Sequence, residues 1–153
     1  MRRALAAAVV VVLLGFGAAG CGGDHEQDNA YVDTVNRAQD DFASTFDRLS
    51  SRITSTSTPT QDRRTLQGFR AAVDRVVAQL RAVEVPGRVR ELHARLVGEI
   101  GSYGRQIDRA RAAFGSRDAQ AVLSAQTELV SAVTRVSAQI NRTIDAINGE
   151  LRA

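Results

Sequence analysis

Few side chains in this chain of 153 residues are of a type that performs chemistry, and their spacing decides what they can do. There is one cysteine, Cys21, and a thiolate is a strong nucleophile that is readily alkylated. Being alone, it forms no disulfide within the chain, and an unmodified exposed thiol is a liability outside the cell. Of the two histidines, His25 sits in the polar run from Gly22 to Asn29, where nothing holds it in the fixed geometry a general base needs. His93 follows Leu92 at the border of an apolar stripe, which predicts a structural or partner-contact role. Glu91 is two residues from His93 and so on another helix face, and the Glu-x-x-His spacing of di-iron bundles is absent. Asp40, Asp41, Asp47 and Glu99 have the spacing of solvated helix faces rather than that of a cation site. The serines have no histidine or lysine placed in sequence to activate them. Gly98, Gly101 and Gly104 precede no Lys-Ser/Thr pair and make no phosphate loop. Gly98 and Gly101 project to the outer face of a helix, through a kink, a partner contact or composition alone. Haem, zinc and copper lack ligands, since beyond residue 20 there is no methionine, no Cys-x-x-Cys-His and little histidine. The expectation is a chain with no catalytic residue, no metal ligand and no cofactor, and not an enzyme.

The residues before Cys21 give it meaning. Arg2 and Arg3 lead into a stretch from Ala4 to Gly20 without a single charge, the layout of a secretory signal. That stretch ends in Ala18-Ala19-Gly20-Cys21, which resembles the lipobox of bacterial lipoproteins: small residues that a peptidase draws into a narrow site, then a cysteine. The resemblance implies cleavage between Gly20 and Cys21, a diacylglyceryl group on Cys21, and residence at the outer face of the cell membrane. The Arg2-Arg3 pair lacks the polar residue before it that a twin-arginine signal carries, which favours the general secretory route.

Cleavage changes the charge. The formal +3 of the whole chain includes Arg2 and Arg3, so the chain from Cys21 carries +1, with both signs interleaved along its length. Nucleic-acid binders present a strongly basic face, and that class is discounted. All basic residues other than histidine are arginine.

The elements can be read from apolar spacing. Residues 21–29 are expected to be the lipidated cysteine and a flexible tether, with a single domain over 30–153. Tyr31, Val35, Ala38, Phe42, Phe46, Leu49 and Ile53 recur by threes and fours, one stripe of a first helix. Thr58-Pro59-Thr60-Gln61 contains the parts of a capping box and places a second helix start at about Pro59. Its stripe runs from Leu66 to Val83 and ends before Pro86-Gly87, because proline donates no backbone hydrogen bond. A third stripe runs from Val89 to Phe114, with Gly115 as a stop and Ser116 placed to cap the next helix. A fourth, from Ala119 to Leu151, is the longest. No segment alternates like a strand. The predicted fold is all-α, an elongated antiparallel up-down-up-down four-helix bundle, with a three-helix core and a loosely attached first helix as its rival.

From Cys21 onward the plan resembles small helical lipoproteins of actinobacteria: lipobox, polar tether, then helices with a Val85-Pro86-Gly87 break before Arg90-Glu91-Leu92-His93. The resemblance implies location and leaves activity open. Anchor, shape and the absence of catalytic groups point first to a non-catalytic interaction or scaffold module that contacts another envelope protein or the cell wall. The alternative, suggested by the small residues in the helices, is a carrier holding a small molecule or lipid between them.

Overall fold

The computed structural model describes residues 23–52, 57–116 and 118–153. Among these residues every regular element is helical: α1 Gly23–Ser50, α2 Pro59–Ala82, α3 Arg90–Ala113 and α4 Ala119–Arg152, with one 3-10 turn at Gly87–Val89. The all-α class and the number of helices agree with the apolar spacing, and α4, at 34 residues, is the longest.

Each boundary has a local cause. At the start of α2 the Thr58 hydroxyl accepts the Gln61 amide at 3.3 Å, and the Thr58 amide donates to Gln61 Oε1 at 2.7 Å. This reciprocal pair satisfies two donors that the helix leaves orphaned, and Pro59 has no donor to lose. The helix stops at Ala82, after which Val83 is extended. The start of α4 differs from expectation: Asp118, not Ser116, is the cap. Asp118 Oδ1 accepts the amides of Gln120 at 2.9 Å and Ala121 at 3.3 Å, while the Ser116 hydroxyl accepts the Asp118 amide. A carboxylate there also meets the positive end of the helix dipole.

The larger difference is at the start of α1. The polar run expected to be a tether is helical from Gly23 onward. Asp28 lies one turn before Tyr31 and Val32, on the same stripe, and is only 6% exposed. A buried carboxylate needs a partner, and Arg88 supplies it. Gln27 Nε2 donates to Glu84 Oε1 at 3.3 Å and adds a second link between the start of α1 and the segment after α2.

The core gathers in two clusters. The first joins Tyr31, Val35, Leu80, Leu96, Ile144 and Leu151, one or more residues from each helix. The second joins Leu49, Leu66, Phe69, Val73, Ile107 and Ala110. Phe42 and Ile100 border both. Each large aliphatic side chain so buried contributes roughly 1.5–3 kcal/mol. Since α1 supplies Tyr31, Val32, Val35, Ala38 and Leu49, it is part of the core rather than an appendage. Along their backbones α2 packs on α1 and α3, and α3 packs on α4. The backbones of α1 and α4 approach each other at most at isolated points, which leaves a seam between them.

Candidate functional site

Two polar crossings fix one end of the molecule. Arg88, just after Pro86-Gly87, forms a salt bridge with Asp28 near the start of α1. The same nitrogen donates to the Leu151 carbonyl at 3.1 Å, one of the carbonyls that the end of α4 leaves without an intrahelical partner. A few residues on, His93 is 7% exposed and spans from α1 to α2. Its Nε2 lies 2.9 Å from the Leu80 carbonyl and its Nδ1 3.1 Å from the Tyr31 hydroxyl. A carbonyl oxygen only accepts, so Nε2 carries the hydrogen, and Nδ1 of the neutral ring accepts the Tyr31 O–H. Burial pulls the imidazole below its ordinary pKa, against the opposing pull of the Leu80 bond. Burial also pushes the Tyr31 hydroxyl up to about 12. Both groups are uncharged near neutral pH and hold three helices together.

Between the two core clusters lies a cavity of about 130 Å³. Its wall comes from all four helices, with Phe42 and Phe46 of α1, Val76 of α2, Leu96 of α3, and Val136 and Ile140 of α4. It runs along α1 from Val35 to Phe46 and along α4 from Val133 to Ile144. Three polar side chains, Gln39, Ser137 and Asn141, also line it and are partly exposed, so they form a polar rim at the α1–α4 seam. Tyr103 reaches the cavity from α3. Burial raises its hydroxyl to about 12, and among the described residues no group bonds to it.

The site residues expected from the sequence fall elsewhere. Gly20 and Cys21 lie outside the described residues, and His25 lies within α1. His93 takes a structural place, buried and doubly bonded rather than at a border. Asp40 and Asp47 are exposed, and Asp41 accepts from Gln79 at 3.4 Å. Glu99 turns toward α4, where its Oε1 accepts the Thr143 hydroxyl at 3.2 Å. Among the described residues no three His, Cys, Asp or Glu side chains gather as a metal site, and no helix is long and apolar enough to cross a membrane.

In the sequence Tyr103 is only one more residue of an apolar stripe. The rim does leave a local signal, since Ser137 and Asn141 are one turn apart beside Val136 and Ile140. Nothing local reveals that the wall behind them is hollow. Compared with family models, with curated proteins and with solved structures, the chain matches none.

Proposed function

We propose that this chain is an exported lipoprotein, anchored to the outer face of the cell membrane through diacylglyceryl-Cys21, whose helices bind a small apolar molecule and perform no catalysis. The anchor rests on the Ala18-Ala19-Gly20-Cys21 motif after an uncharged apolar stretch. The helices run up-down-up-down. In support, Arg88 touches the start of α1 and the end of α4, while His93, near the start of α3, touches the end of α2.

The single observation that carries the binding role is the apolar cavity between α1 and α4. Its volume of about 130 Å³ falls short of the roughly 300 Å³ at which drug-sized ligand sites begin. It is close to the ~150 Å³ of cavities that hold benzene, so the cargo is small or thin. The scaffold role has less to stand on. Leu123 is the one large hydrophobic side chain strongly exposed among the described residues, so no contiguous apolar docking patch is present there.

Native mass spectrometry of protein purified from membranes tests both parts. The expected result is a mass increment of one diacylglyceryl group on a chain beginning at Cys21, with a second, non-covalent apolar adduct. Replacing Cys21 with serine should abolish processing and membrane retention; unchanged retention removes the anchor. A lipidated protein without any adduct, which still cross-links to one envelope protein in intact cells, replaces the carrier role with the scaffold role.

A further inference from the structure

We propose that the cavity is a slot for one straight hydrocarbon chain of an uncharged amphiphile, with the hydrogen-bonding head of that molecule at the Gln39, Ser137 and Asn141 rim. This rests on the binding role above and names its ligand class.

Shape comes first. Val133 to Ile144 is eleven helical steps, about 16 Å at 1.5 Å per residue, and so is Val35 to Phe46, so the wall is long for the volume it encloses. A volume of about 130 Å³, near the ~150 Å³ that holds a six-carbon ring, takes one chain of about six carbons, whereas a fused ring system or a pair of chains does not fit.

Chemistry narrows the ligand further. Among the described residues no arginine, aspartate or glutamate lines the cavity, so an ionised head drawn inside would lose its water and gain no counter-charge from them. The rim instead offers two amides and a hydroxyl, which donate and accept hydrogen bonds and match an alcohol, ester or amide. Tyr103 also lines the cavity, and its hydroxyl bonds to no other group among the described residues, which leaves it free to donate to an oxygen on the ligand.

Two sources supply such a chain: a free amphiphile, or the end of an acyl group of the lipid on Cys21 folded back into the slot. The probes are 1-hexanol, hexane and, as a bulky ring system, cholesterol, each titrated against the lipidated chain that begins at Cys21 and against the same residues 21–153 carrying Cys21→Ser. Binding is read by native mass spectrometry and by the tyrosine ring signals in NMR. The expected result is one 1-hexanol per Cys21→Ser chain and no binding of cholesterol. Competition from the chain's own lipid shows as weaker binding to the lipidated protein, a free-ligand slot as equal binding to both.

Two variants separate the slot from mere surface adsorption. Ile140→Trp fills the cavity and should weaken 1-hexanol binding at least tenfold, with helicity retained. Tyr103→Phe keeps the ring and should weaken 1-hexanol about tenfold while leaving hexane unchanged, the discrimination expected of one lost hydrogen bond. Should Ile140→Trp not fold, Val133→Phe is the milder filling. Undiminished binding to a folded filled variant overturns the inference, as does binding of cholesterol in preference to the chain. In the latter case the carrier role stands and the chain-shaped ligand falls; if no probe binds either protein and no adduct co-purifies, both fall.

Discussion

The guanidinium of Arg70 lies flat against Gly104. A Cβ built on Gly104 would sit 3.1 Å from Arg70 Nη1 and 3.3 Å from Nε, so the missing side chain is what lets α2's arginine reach across α3 to Asp108 at 2.9 Å. Asp74 holds the other side of the same guanidinium.

This relationship sets two small terms against each other. Gly104→Ala gains about 1 kcal/mol of helix preference, but it pushes the flexible arginine tip away from Asp108, and a part-exposed pair of this kind contributes roughly 0.2–1 kcal/mol. The net change should be under about 0.5 kcal/mol. In an Arg70→Ala background the obstacle is gone, and the same substitution should stabilise by close to about 1 kcal/mol. Urea melts of the four proteins form the cycle; equal effects in both backgrounds would show that the contact carries no energy.

Gly98 makes the opposite case. It is exposed, and a Cβ there meets nothing within 4 Å. The glycine therefore only weakens α3, and Gly98→Ala should stabilise by about 1 kcal/mol, a rise of roughly 3–6 °C in Tm for a domain of this size. A fall in Tm would mean that the residue serves a bend in α3 or a contact with another molecule.

What the sequence reveals and what it hides divide along one physical line. Helix extents and stripes are legible because a 3.6-residue period, a Thr58–Gln61 box and a proline at 86 are local signals. The helical start at Gly23 is not, since a polar run reads as a tether until Arg88, 60 residues away, neutralises Asp28. Ser116 and Asp118 are both competent caps, and only the path of the chain chooses between them. The cavity is least legible of all. Its walls are ordinary members of four stripes, and a void between them depends on how far α1 stands from α4, which no single segment encodes.

Acid should destabilise the protein through His93. The unfolded chain takes up a proton near the ordinary histidine value of about 6.5, whereas in the folded chain burial holds the ring's pKa lower. The folded state therefore binds fewer protons below that value, and stability that is complete above pH 6.5 declines as pH falls toward the lowered folded value. His93→Phe removes this dependence and leaves the Tyr31 hydroxyl and the Leu80 carbonyl without their partner, at a cost of about 1–3 kcal/mol at pH 8. Urea midpoints between pH 8 and pH 5 check both statements. A slope in that window that survives in His93→Phe assigns the acid sensitivity to another group.

Arg88 should prove the most consequential single arginine for the attachment of α1. Its Asp28 partner is a carboxylate with a side chain 9% exposed, and Arg88→Ala would leave that charge in place without a counter-ion while also freeing the Leu151 carbonyl. Complete burial of such a pair would make the loss about 3–5 kcal/mol, but the arginine itself is 40% exposed and water can enter after the cut, which lowers the expectation to about 1–2 kcal/mol. The loss should be local. Hydrogen exchange should accelerate over the first two turns of α1 and the last turn of α4, with the Leu66 to Ile107 cluster unaffected. Asp28→Asn, which removes the buried charge but keeps its shape, should restore part of the stability in the Arg88→Ala background. If the double variant were instead no more stable than Arg88→Ala alone, the buried carboxylate would not be the source of the cost, and the Leu151 carbonyl would have to account for it.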